Sequence, residues 1–262
     1  MCYFNNYSYH KVNLFIYERV IIMAVYALGD LHGHYEIYEK VKAMLKPEDT
    51  VYFLGDAGDR GPDSWKCIKA IYDDPQFIYI KGNHEDMLVK ACEEYLVDGQ
   101  WEYHSWALCA HNGGRDTMDS WERDPDREAW VKRLRDLPTW DSYDLEDKTY
   151  ILCHAGMTPW LKGEGEDKGT WIPPDRMLIW DRDHYLEDWE FGEMDEDIIV
   201  VHGHTPIHYL SEDLRIDWES GAFWYCHDHK VCIDSGGFFS DEFILLDLDT
   251  GKDIVLTLDK KS

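Results

Sequence analysis

The sequence predicts an α/β fold, and three observations carry that expectation. Short apolar runs rich in β-branched and aromatic residues recur along the chain, and most are closed by glycine. Stretches with helical period fill the gaps between the early runs, which calls for crossover connections and parallel strands. Each of these runs ends in a distinctive polar cluster, and in open α/β sheets ligands gather beyond the carboxyl ends of the strands.

Taken in order, residues 1–22 show no clean period and are expected to be an N-terminal extension that need not belong to the native protein. Met23 is a second candidate start, and a docked N-terminal segment is the alternative. One domain is expected over 23–262, because no repeat, low-complexity tract or Pro/Gly/Ser linker divides it. Ala24–Leu28 runs into Gly29-Asp30-Leu31-His32-Gly33, and Val51–Leu54 into Gly55-Asp56-Ala57-Gly58-Asp59-Arg60-Gly61. Phe77–Ile80 precedes Lys81-Gly82-Asn83-His84-Glu85, Tyr150–Cys153 precedes His154-Ala155-Gly156, and Ile198–Val201 precedes His202-Gly203-His204-Thr205. Val231–Ile233 ends at Asp234-Ser235-Gly236-Gly237, and two more strands are expected near 243–247 and 254–258. Helical faces are read from Ile37, Val41, Met44 and Leu45; from Trp65, Ile68, Ile71 and Tyr72; and from Leu88, Ala91, Tyr95 and Leu96. Two inserts, 98–149 and 157–197, are rich in Trp and acidic residues and are expected to wall the site.

Composition narrows the class. At 262 residues, with 44% hydrophobic and 15% aromatic content, the chain can build a core and is too apolar for disorder. Asp and Glu number 53 against 26 Lys and Arg, for a net charge of −27, which argues against nucleic acid and anionic membranes as partners. Seven Cys include no C-x-x-C spacing, so reduced thiols in a cytoplasmic protein are expected. No apolar run approaches the ~18 residues of a membrane span.

The clusters carry chemistry if they converge. Asp30 and His32 can face one ion from a single turn, and Asp56 can bridge two ions through its two oxygens. Asn83, His154 and His204 add an amide oxygen and two imidazoles. Such mixed O/N donors, without thiolate, suit Mn, Fe, Zn or similar divalent ions. A lone His or Gly-Asp is ordinarily turn or core chemistry, but five such clusters after five apolar runs are not explained by turns. His10, His104, His111, His208, His227 and His229 lack this setting, and His34 is placed in the first turn of a helix.

GDLHG (29–33), GDAGDRG (55–61), GNHE (82–85), HAG (154–156) and GHT (203–205) together resemble the signature set of the phosphoprotein phosphatase family of calcineurin-like metallophosphoesterases. Order and spacing are most similar to its smaller bacterial and phage branch, which holds Ser/Thr protein phosphatases and symmetrical diadenosine tetraphosphatases. The resemblance runs from Met23 to Leu258 and implies a β-sandwich with helices on both outer faces. It implies that Asp30, His32 and Asp56 hold one divalent metal ion and that Asp56, Asn83, His154 and His204 hold a second. Mn²⁺ is the first expectation for the pair, with Fe or Zn as alternatives. His204 is preferred to His202, which stands behind the ligands or outside the site. His84 is implied as general acid, Asp59 as its orienting partner, and Arg60 as a phosphate clamp, with Asn83 also beside the phosphate. Arg182, in Ile179-Trp180-Asp181-Arg182, is the candidate for a second phosphate-binding arginine, with a surface ion pair as the alternative. Asn112-Gly113-Gly114-x-x-Thr117 also resembles that branch but carries no assigned role, and Asp234-Ser235-Gly236 is assigned to structural support.

The expected reaction is hydrolysis of phosphoserine and phosphothreonine esters by direct attack of a metal-bridging hydroxide. The alternative substrate is a dinucleoside polyphosphate, whose adenine Trp101, Trp106, Trp140, Trp160 or Trp171 could stack. A non-catalytic scaffold on the same fold is a third reading, set against the complete ligand inventory. Substrates are thus expected among phosphoproteins or phosphorylated small molecules.

Overall fold

Most of the core strands are apolar at every position rather than at every second one, because both of their faces are covered. In the computed structural model, which describes residues 23–101, 103–146, 148–156, 175–182, 198–209, 216–217, 223–227 and 230–259, these strands form two sheets. The first has the order β11-β10-β1-β2-β3. Its strands β1 (Val25–Leu28), β2 (Thr50–Phe53) and β3 (Phe77–Tyr79) run parallel. β10 (Glu242–Asp247) and β11 (Lys252–Thr257) are added antiparallel at one side. The second sheet has the order β4-β5-β6-β9-β8-β7. Within it β5 (Lys148–Cys153), β6 (Ile198–His202) and β9 (Lys230–Cys232) are parallel. β4 (Trp140–Leu145), β8 (Phe223–His227) and β7 (Ile216–Asp217) are antiparallel neighbours.

The alternation of side chains along each strand shows the layering. Val25, Ala27, Tyr52, Leu54, Ile80, Ile244 and Leu246 pack with Tyr150, Leu152, Val201, Val231 and Ile233 between the sheets. The residues in between, Leu28, Val51, Phe53, Tyr79, Phe243 and Leu245, face a helical layer. That layer is built from α1 (Tyr35–Met44), α2 (Ser64–Asp73), α3 (Asn83–Asp98), α5 (Arg115–Glu122) and α6 (Arg127–Arg135), with α4 (Tyr103–His111) against α3. On the outer face of the second sheet, Ile151, Cys153 and Val200 meet Leu178 and Ile179 of α7 (Asp175–Trp180). The expected sandwich with helices outside both sheets is therefore present, with one short helix on the second face among the described residues.

Two sequence expectations change. Met44, Tyr72 and Leu96 belong to the expected faces but are exposed at 47%, 37% and 37%. They stand near the C-terminal ends of their helices at the margin of the buried face: Leu45 and Tyr95 beside them still pack against the core, and Tyr72 meets the Trp130 ring edge-on. The insert 98–149 is not a wall but part of the core: Cys109, Met118, Trp121, Trp130, Val131 and Leu134 are buried with the α2–α3 face, and β4 opens the second sheet. Trp101 and Trp106 pack partly buried against this core, and Trp140 against the outer cluster of the second sheet. Trp160 and Trp171 lie outside the described residues, as do residues 1–22 and most of 157–197.

Cys67, Cys92, Cys109, Cys153 and Cys232 are buried thiols, as expected of small core residues. No described helix is long and apolar enough to cross a membrane. Leu152→Ala, which opens a void between the sheets, should cost about 2–5 kcal/mol in urea unfolding. Met44→Ala should stay within about 0.5 kcal/mol; equal losses for both would contradict this layering.

Candidate metal centre

The polar clusters follow the carboxyl ends of β1, β2, β3, β5 and β6, so the parallel strands of both sheets deliver their loops to one place. Tight reversals there require left-handed backbone. Of the seven described non-glycine residues with positive φ, five are His32, Asp56, Asp59, Arg60 and His204. Such conformations cost about 1–3 kcal/mol each and persist where the surroundings over-determine them. Gly82 serves the opposite need, close approach: a Cβ there would run into Asp56 Oδ1.

Each candidate ligand is buried. His32 Nδ1 donates to the Gly58 carbonyl at 3.0 Å, which leaves the Nε2 lone pair turned inward. That Nε2 lies 3.8 Å from Asp30 Oδ2 and 3.9 Å from Asp56 Oδ2. His154 Nδ1 donates to the Leu54 carbonyl at 2.7 Å, so its Nε2 lone pair faces Asn83 Oδ1 at 2.9 Å and Asp56 Oδ1 at 3.4 Å. His204 Nδ1 lies 2.9 Å from Asn83 Oδ1 and 3.2 Å from His154 Nε2, and its Nε2 has no hydrogen-bond partner among the described residues. Asp56 thus turns one oxygen to His32 and the other to His154.

Electrostatics agree with this geometry. Burial pushes Asp30 well above the usual carboxylate range, with Asp234 adding to it, and burial followed by Asp30 and Glu85 does the same to Asp56. Burial lowers the imidazoles, His154 to about 3, and holds them neutral. Oxygen and nitrogen donors of Asp56, Asn83, His154 and His204 are thus crowded together out of water, with Arg60 Nη1 against His32 Nε2 at their edge, and a donor set of this kind suits a divalent cation. The donor set fits two such ions: Asp30, His32 and Asp56 around one, and Asp56, Asn83, His154 and His204 around the other. His84 also lies close enough to His32 and Asp56 to make a three-residue cluster with them.

The remaining expected residues surround this cluster. His84 Nδ1 hydrogen-bonds Asp59 Oδ2 at 2.6 Å, and Arg60 Nη2 approaches His84 Nε2 at 3.0 Å. Arg60 Nη1 contacts His32 Nε2. Arg182 Nη1 donates to Thr205 Oγ1 at 3.2 Å, beside His204, so the structure brings it to the site edge. His202 is buried behind the cluster, with Nδ1 at 3.1 Å from the Gly203 carbonyl, and its pKa is lowered to about 4 by burial. His34 caps α1 at the position just before its first turn.

Sequence reasoning missed three contributors. The Glu85 carboxylate accepts the backbone N–H groups of Asp56, Ala57 and Gly82, each at 2.9 Å, and the Tyr79 hydroxyl at 2.8 Å. It ties the Asp56 loop to the start of α3, and its signal was the last letter of GNHE. Phe238, in α8 (Gly237–Ser240), lies under the Arg60 guanidinium at 4.5 Å and edge-on to His32. Trp180 stands edge-on to His204 at 6.2 Å. Neither aromatic has a sequence signal beyond its neighbours.

Residues 23–230 match the calcineurin-like phosphoesterase family, and the chain belongs to it. It is 27% identical over 237 residues to a Salmonella typhimurium protein named serine/threonine-protein phosphatase 2, covering 88% of this chain and 94% of that one. It is also 27% identical over 144 residues to a symmetrical bis(5'-nucleosyl)-tetraphosphatase of Nitrosospira multiformis. That match covers 52% of this chain and 45% of the other, so the chain spans about half the length of this relative. The solved structure of a candidate diadenosine tetraphosphatase shares the fold, with a TM-score of 0.58 at 16% identity over 92% of this chain and 96% of that one.

Glu85→Gln keeps the shape but turns an amide N–H toward backbone donors. It should cost about 1.5–3 kcal/mol in urea unfolding and weaken Mn²⁺ binding about 10–100-fold by calorimetry. Unaltered stability and affinity would remove Glu85 as the clamp on the Asp56 loop.

Proposed function

We propose that this chain is a phosphatase that hydrolyses phosphoserine and phosphothreonine esters with two divalent ions, Mn²⁺ first among them. The observation that carries the reading is the burial of facing carboxylate, amide and imidazole acceptors beside a His84–Asp59 pair. When bound, such ions supply activated water at neutral pH and positive charge for the phosphoryl oxygens. The chain's own residues do the rest.

Asp56, with one oxygen toward His32 and the other toward His154, would be a ligand to both cations. Arg60 from the His32–His84 side and Arg182 from the His204 side take phosphate oxygens; planar guanidinium groups suit that task. Asn83 is beside the same phosphate. His84 Nε2 is the edge turned into the cleft, and it delivers a proton to the departing alkoxide while Asp59 holds Nδ1. An alkoxide leaves poorly without that proton, and a positioned acid is worth about 10²–10⁴ in rate.

The protein-phosphatase reading is supported by the relative named for that activity, whose match runs nearly end to end in both chains. The second reading, cleavage of a dinucleoside polyphosphate, uses the same ions and is equally supported, by tetraphosphatase relatives whose matches cover 52% to 75% of this chain. Trp180 beside His204 and Phe238 beside His32 are described aromatics next to candidate ligands. On one Mn²⁺-loaded preparation, kcat/KM for a phosphothreonine peptide should exceed that for diadenosine tetraphosphate about a hundredfold; the reverse order would move the function to nucleotide cleavage.

His84→Asn should lower turnover of the peptide by about 10²-fold or more with metal content unchanged. Unchanged turnover would remove His84 as the acid. Asp56→Asn should lose metal by elemental analysis, and a fully loaded variant would contradict the bridging role.

A further inference from the structure

The Asn112-Gly113-Gly114-x-x-Thr117 segment joins α4 to α5 and packs against the loop that carries Asp59 and Arg60. The Gly113 carbonyl accepts the Arg60 backbone N–H at 3.0 Å. Gly114 approaches so closely that a Cβ there would stand 3.0 Å from both Asp59 carboxylate oxygens. Thr117 is 1% exposed, and its Oγ1 donates to Asp59 Oδ1 at 2.6 Å. Asp59, itself 2% exposed, gives its other oxygen to His84 Nδ1 at 2.6 Å.

We propose that Thr117 is a positioning residue for proton delivery: its hydroxyl aims the Asp59 carboxylate, and Asp59 aims the His84 imidazole. The terminal torsion of an aspartate is broad, so one hydrogen bond leaves the carboxylate plane poorly fixed. A second bond on the opposite oxygen fixes the plane. It also satisfies an acceptor that would otherwise be buried unpaired. The Thr117 hydroxyl bonds Asp59 rather than a candidate metal ligand, and its methyl faces Gly58, so a substitution that keeps the methyl and removes the hydroxyl acts through Asp59. The same turn holds the Arg60 backbone, which makes α4–α5 the support for both the proton-delivering pair and the phosphate-binding arginine.

The inference rests on His84 acting as the acid, and the test separates the two claims by the leaving group. The full-length, Mn²⁺-loaded enzyme is assayed on a phosphothreonine peptide, whose alkoxide needs a proton, and on p-nitrophenyl phosphate, whose leaving group does not. Thr117→Val, which keeps the shape, should lower kcat/KM on the peptide about tenfold or more and on the aryl ester less than about threefold, with metal content unchanged. These figures follow from the worth of a general acid and the cost of misplacing one. Thr117→Ser should restore the peptide rate. In a His84→Asn background, Thr117→Val should add nothing, as for groups acting in series.

Equal losses on both substrates, or no loss on either, would overturn the role of Thr117. A loss that persists undiminished in the His84→Asn background would do the same. If His84→Asn itself fails to separate the two substrates, the acid reading falls instead. Should Thr117→Val melt too low to assay, Thr117→Ala is measured on the same pair with the same criteria.

Discussion

Everything at this centre depends on one electrostatic constraint: carboxyl, amide and imidazole groups are buried together, and backbone carbonyls fix which way the imidazoles face. His154 cannot turn its Nδ1 proton inward, because Leu54 takes it, and His32 is held in the same way by Gly58. The His154 Nε2 lone pair therefore points at the Asn83 and Asp56 oxygens, and that of His32 at the Arg60 guanidinium with Asp30 and Asp56 beyond it. In water such groups would be solvated apart. Here the protein holds them together, at the expense of five left-handed non-glycine residues and of carboxylates pushed far from their ordinary range. Structures tolerate that expense when a bound cation returns it. The arrangement is accordingly a demand for positive charge, set by backbone hydrogen bonds rather than by the ligands themselves.

The two sheets share this demand. The first contributes Asp30, His32, Asp56 and Asn83, and the second His154 and His204. The link between them is direct, since His154 of the second sheet donates to Leu54 of the first. The Gly203 N–H then donates to the His154 carbonyl at 2.8 Å, which aligns the two histidine loops of the second sheet. The separation of the two halves is thus fixed by the side chains packed between the sheets, among them Leu54, Ile80, Leu152, Val201 and Ile233. Because close-packed interiors transmit strain, a void in this layer and a displaced ligand are two views of one change. Glu85 performs the same function locally, anchoring three backbone N–H groups of adjoining loops on one carboxylate.

What could be seen in the sequence follows from the range of the interactions. Strands and their terminal clusters are local features, so Asp30, Asp56, Asn83, His154 and His204 were readable as a set, and their strands were placed to within about two residues. Helical faces were readable except at their margins, where Met44 and Leu96 keep the period but are exposed while their neighbours Leu45 and Tyr95 pack against the core. The insert 98–149 was misjudged because Trp121 and Trp130 owe their burial to α2 and α3, which periodicity within the insert does not reveal. Thr117 and Asp59 are 58 positions apart. The segment stood out by its spelling, but only contact gives it a partner. Phe238 has the same history, separated in sequence from the arginine it underlies.

The strongly acidic composition acquires a meaning once the site is placed. A net charge of −27 opposes the approach of a phosphate dianion, yet charges more than about 8 Å apart across water are largely screened at physiological salt. Inside that distance the balance is different. Arg60 lies against His32 and His84, and Arg182 reaches Thr205 beside His204, so guanidinium groups flank both sides of the cluster. Phe238 lies beneath Arg60 and holds that guanidinium by its ring face. Burial raises the carboxyls of Asp30, Asp56 and Asp234 and the Arg60 charge works to lower them, so this arginine offsets part of the acidity of the cluster itself.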